Sequence, residues 1–83
     1  MSLLVMTDIT VPADLWDSED EGVIFAWIYA DGALVERGKL VAELTVEKAQ
    51  LELNAPASGR LRILAPAETV VRKGTVIGRI EPV

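Results

Sequence analysis

The residues of this 83-residue chain that could do chemistry are few: 13 Asp/Glu, eight Lys/Arg and a single tyrosine, Tyr29, with no His and no Cys. Without those two types the chain cannot build a disulfide, a thiolate nucleophile, a Ser-His-Asp triad or the usual zinc site. No cluster reads as acid, base and nucleophile together, so no catalytic residue and no metal ligand is assigned, and the chain is read as a non-enzyme. Electron or acyl transfer would have to be borrowed from a cofactor. One residue, Lys48, stands out by its place in the pattern. Its amine, like any lysine amine in water, is neutral in only about one molecule in two thousand near pH 7.

The element that would position Lys48 is a β-hairpin. A two-residue loop at Glu47-Lys48 sets Val46 opposite Ala49, Leu44 opposite Leu51, Ala42 opposite Leu53 and Leu40 opposite Ala55, so that one face is wholly apolar. The other face pairs Thr45 with Gln50, Glu43 with Glu52 and Val41 with Asn54. A slip of one residue would mix the faces, so burial selects this register. Two-residue loops favour Asn-Gly or Asp-Gly, which tolerate positive φ, and Glu-Lys supplies neither. A broken turn rule in an otherwise consistent segment points to a working site. A solvated lysine at a surface turn is the plainer reading, and the pattern by itself leaves both open.

The rest of the chain is short apolar runs of period two, punctuated by Gly, Pro and Asp, with no stretch supporting a long amphipathic helix. This spacing predicts an all-β sandwich or barrel with strands at Met6–Val11, Gly22–Tyr29, Lys39–Val46, Ala49–Ala55, Gly59–Leu64 and Thr75–Ile80, and short pieces at Leu34–Val35 and Val70–Val71. Residues 35–44 echo residues 71–80 as strand, glycine turn, strand, which implies two similar halves around one core. Gly32, Gly38, Gly59 and Gly74 read as turn residues rather than phosphate cradles, since no helix follows them. Phe25 and Trp27 are expected to pack in or over the core.

Half of the residues are hydrophobic and the net charge is −5. The length suits one domain, residues 1–83, with residues 1–5 expected to be a disordered or cloning-derived start. The acidic balance and the absence of a basic cluster oppose nucleic-acid binding. No apolar run approaches a membrane span and no signal peptide is evident, so no membrane partner and a cytoplasmic location are expected.

Taken together, Val11-Pro12, Glu21-Gly22-Val23-Ile24, Trp27-Ile28, Gly32, Val35, Gly38, Leu40-Val41-Ala42-Glu43-Leu44, Glu47-Lys48-Ala49, Glu52-Leu53, Ala55-Pro56-Ala57-Ser58-Gly59, Leu61, Val71, Gly74 and Ile77 resemble the biotinyl/lipoyl attachment family. The pattern is most similar to the lipoyl domains of 2-oxo acid dehydrogenase acyltransferase components. The resemblance implies a flattened β-barrel or sandwich of two roughly four-stranded antiparallel sheets with pseudo-two-fold halves. It implies lipoic acid in amide linkage on Lys48, with Glu47 and Ala49 read by a lipoate ligase or a lipoyl/octanoyl transferase. Enzymes of a 2-oxo acid or acetoin dehydrogenase complex would be the partners of the swinging arm. Biotin domains carry Met on both sides of the lysine, so biotin is the alternative cofactor, and an unmodified structural module is a further alternative. The loop after the first strand, with Trp16, Asp17, Glu19 and Asp20, would help partners recognise the domain; Trp16 could equally be a plug over the barrel end. Three departures mark this chain: Glu47 for the usual Asp, Ala33 for Asp, and Ala67-Glu68-Thr69-Val70 in place of a Gly-Asp turn.

Overall fold

The alternating pattern becomes strands wherever it was legible. The computed structural model describes residues 5–16 and 21–83, so most of the N-terminal start and Asp17, Glu19 and Asp20 lie outside the described residues. Eight strands and no helix are found among them: β1 (Thr7–Thr10), β2 (Gly22–Trp27), β3 (Leu34–Val35), β4 (Leu40–Val46), β5 (Ala49–Asn54), β6 (Gly59–Ile63), β7 (Val70–Val71) and β8 (Val76–Glu81). They build two four-stranded antiparallel sheets, ordered β1-β8-β6-β3 and β5-β4-β2-β7. Ile24, Leu44, Leu61, Ile77 and Ile80 are withdrawn from water between the sheets. At roughly 1.5–3 kcal/mol for each fully buried side chain, this layer is the main force holding the sheets face to face.

The two four-stranded antiparallel sheets expected of the flattened barrel-sandwich are found. The two sheets are not joined into a closed barrel. Between their edge strands β1 and β5 lies an open groove of about 360 Å³ lined by Ile9, Thr10, Leu15, Leu53 and Asn54 among others.

Laying β2, β3 and β4 over β6, β7 and β8 turns one sheet order into the other, with β5 falling on β1. Each half also lends its short strand to the other half's sheet, β3 pairing β6 and β7 pairing β2. The hydrogen bonds repeat as well. Gly32 N–H donates to the Leu61 carbonyl at 2.7 Å, and Glu68 N–H donates to the Ile24 carbonyl at 2.7 Å. Gly38 and Ala55 form one such link at the sandwich edge, and Gly74 and Val11 form its counterpart.

Two expectations are corrected by bulges. In β4 the register shifts between Leu40 and Ala42, so Leu40 faces Asn54 rather than Ala55. Val41, which strict alternation puts on the polar face, is instead buried next to Ala42. A bulge turns two consecutive side chains the same way, and here it removes both from water. The other half repeats the device: β8 skips Ile77 in its pairing with β1, and Ile77 and Gly78 are both buried. The second correction is Phe25. A bulge between Ile24 and Ala26 leaves it out of the ladder, and it is 57% exposed on the outer face of its sheet. Trp27 does pack over the core, with its Nε1–H donating to the Ala65 carbonyl at 2.9 Å.

Gly32, Gly38 and Gly74 hold φ values of 89°, 88° and 92°, as turn residues. Gly59 departs from that reading. It is the buried first residue of β6, and a Cβ there would strike the Glu81 carbonyl oxygen, so a close backbone approach is what excludes a side chain.

Candidate attachment site

Strands β4 and β5 pair from Ala42–Leu53 through Val46–Ala49, so the two-residue loop is Glu47-Lys48, as the apolar face requires. Val46 is 5% exposed, while Glu47, Lys48, Ala49 and Gln50 all face solvent. The core therefore ends within one residue of the tip. Glu47 adopts φ 54°, the left-handed conformation that a side chain with a Cβ resists by roughly 1–2 kcal/mol. Asp and Asn enter that region more readily, which is a physical reason for the family's usual Asp at this position. Lys48 makes no ion pair among the described residues. An exposed primary amine at the end of a hairpin has the chemistry an amide-linked cofactor needs.

The loop after β1 reaches the tip end of this hairpin. Trp16 is partly buried and packs against the core. Its Cη2 and Val46 Cγ2 close on the same side of Gly22, where an added Cβ would lie 3.4 Å from the first and 3.1 Å from the second. Trp16 is thus a plug beside the residue that precedes the tip. It is pinned there from the far half of the chain: Lys73 Nζ donates to the Trp16 carbonyl at 3.1 Å and sits 5.8 Å from the ring centroid. Beside it, Arg72 Nε donates to Glu21 Oε2 at 2.9 Å. Lys73 was not foreseen, because nothing in the local pattern ties residue 73 to residue 16. The echo between the halves was the available signal, since it places the turn carrying Lys73 beside the second strand.

Of the residues expected to serve the site, Glu47, Lys48 and Ala49 share the tip and Trp16 lies near Val46, just below it. Asp17, Glu19 and Asp20 fall outside the described residues. No group of His, Cys, Asp or Glu among the described residues is placed to hold a metal.

A family described as "Biotin-requiring enzyme" matches residues 7–80, from the start of β1 to within one residue of the end of β8. The chain belongs to the biotinyl/lipoyl attachment family. Among curated proteins, it is 38% identical over 76 residues to the dihydrolipoyllysine-residue succinyltransferase component of the 2-oxoglutarate dehydrogenase complex of Bacillus subtilis, covering 90% of this chain and 18% of that protein. It is 36% identical over 75 residues to the dihydrolipoyllysine-residue acetyltransferase component of the pyruvate dehydrogenase complex of Corynebacterium glutamicum, covering 89% of this chain and 11% of that protein. The attachment domain described here is therefore similar to a small part of two much longer acyltransferase components.

Proposed function

We propose that residues 1–83 form one lipoyl carrier domain in which Lys48 takes lipoate in amide linkage. The observation that carries this reading is the exposed Lys48 amine, which makes no ion pair among the described residues, at the tip of a register-locked hairpin in a chain of the attachment family. Glu47 and Ala49 flank it, where a biotin site would have methionines, and both relatives are named for a dihydrolipoyllysine residue.

Attachment joins the neutral Lys48 Nζ to the carboxyl carbon of an activated lipoyl ester; the carbon–oxygen bond to the leaving group breaks and the amine's proton passes to the attaching enzyme or to water. The domain's own residues do three things in this step. Val46 and the apolar hairpin face anchor the tip, Glu47 sets the turn, and Lys48 offers the nucleophile; the base belongs to a lipoate ligase or a lipoyl/octanoyl transferase. Once bound, lipoate supplies a dithiolane that carries acyl groups and reducing equivalents. Tethering it to Lys48 raises its effective concentration at each enzyme of a 2-oxo acid dehydrogenase complex, which needs no catalysis by the domain.

The test is the intact mass of the protein incubated with a lipoate–protein ligase, lipoate and ATP, with Lys48→Arg in parallel. A single lipoyl adduct on the parent protein and none on the variant is expected. An unmodified parent would refute the lipoyl reading, and a biotinyl adduct under biotin ligase would move the domain to the biotin carriers.

A further inference from the structure

The two sheets are built alike, yet their outer faces are opposite in character. On the β1-β8-β6-β3 sheet the outward residues include Arg60, Arg62 and Arg79, and each has a partner. Arg79 Nε donates to Asp8 Oδ1 at 3.1 Å, Arg62 pairs with Glu81 and Asp31, and Arg60 donates to the Gly32 carbonyl at 3.0 Å. That face is a self-satisfied lattice of charges, and the Glu81 hydrogen bond raises the Arg62 pKa further above its ordinary value.

Superposing the halves by register places Val23 on Arg60, Ala26 on Arg62 and Glu43 on Arg79, with the bulged Phe25 an extra residue that β6 lacks. Glu52 falls on Asp8 by the same operation, since β5 overlies β1. All three cations of one face are thus replaced on the hairpin sheet, two by apolar side chains and one by a carboxylate. Where Asp8 meets Arg79, Glu52 meets Glu43, a like-charge cross-strand pair of the kind that destabilises a sheet. Neither carboxylate has an ion pair among the described residues. Beside them Phe25 and Val70 stand 57% and 58% exposed, and Val23 lies between β4 and β7 in the adjoining row.

We infer that this outer face of the hairpin sheet is a docking surface for a protein partner that presents arginine or lysine side chains around an apolar recess. Cations from the partner take the place of the missing Arg79 equivalent between Glu43 and Glu52, and the recess receives Phe25. Because both glutamates lie on the strands that carry Lys48, the partner is assigned as the enzyme that acts on the Lys48 amine. This assignment rests on the lipoyl-carrier reading. A surface that the protein leaves electrostatically unfinished on one sheet and completes on the other is explained by a partner that completes it.

The experiment measures kcat and KM for lipoylation of the whole domain by a lipoate–protein ligase. It compares the parent, the Glu43→Gln/Glu52→Gln double variant, Phe25→Ser, and Asp8→Asn on the opposite face. Expected is a rise in KM of about tenfold for the double variant and severalfold for Phe25→Ser, with kcat within about twofold and Asp8→Asn unchanged. The parent's KM should climb with salt and the double variant's should not. Thermal melts confirm folding; the double variant loses only a repulsive pair, so it should melt no lower than the parent. Equal KM values for a well-modified parent and its double variant overturn the docking surface alone. Self-association of the double variant with unchanged KM does so too, and shows that the glutamates only keep the β5 edge from pairing between copies. A parent that accepts no lipoyl group at all overturns both this inference and the carrier reading.

Discussion

Glu68→Gly should stabilise the protein, and the molecule supplies its own control. Glu68 holds φ 74° and donates its N–H to Ile24; its counterpart in the other half, Gly32, holds φ 89° and makes the matching bond to Leu61 at the same 2.7 Å. The left-handed conformation costs an L-residue roughly 1–2 kcal/mol. Glycine removes that strain and returns roughly 0.5–1 kcal/mol of it, because the unfolded chain gains freedom. Glu68 makes no ion pair among the described residues, so little else is lost. The net is a gain of about 0.5–1 kcal/mol, a rise in Tm of roughly 2–8 °C for a domain of this size. The reverse change, Gly32→Ala, adds a Cβ that meets nothing within 4 Å, so it isolates the backbone term and should lower Tm by a similar amount. Thermal and urea melts followed by circular dichroism read both. If Glu68→Gly leaves Tm unchanged or lowers it while Gly32→Ala costs stability, the two turns are not equivalent and the strain argument fails.

Lys73→Met removes both the hydrogen bond to the Trp16 carbonyl and the cation over its ring. That should cost about 0.5–1 kcal/mol and shift tryptophan emission to longer wavelength as Trp16 leaves its place near Val46; an unmoved spectrum would show that Lys73 does not hold the loop.

Much of the fold was legible because it is written in local alternation. The register of β4 against β5 followed from keeping one hairpin face apolar, and it holds from Ala42 to Ala49. The short pieces Leu34–Val35 and Val70–Val71 were found within their observed bounds, because each is a pair of apolar residues ahead of a glycine turn. Legibility failed at Val41 and Phe25, where a bulge changes which face a residue meets. A period-two pattern contains no mark for the one residue that steps out of phase. It failed also at Gly59, where the constraint is the Glu81 backbone rather than a turn.

The sequence by itself determined the strands, the hairpin that ends in Lys48, the polar pairing of Glu43 with Glu52, and the duplication of one half-motif. Those depend on neighbours along the chain or directly across one turn. Only the tertiary structure decided that the sheets remain an open sandwich, that Lys73 of the last turn clamps Trp16 beside the tip, and that the arginines of one outer face have Val23, Ala26 and Glu43 as their counterparts on the other, with Phe25 bulged out beside them. Those facts depend on which strands become neighbours when each half lends its short strand to the other sheet, a long-range choice made by burying one shared core.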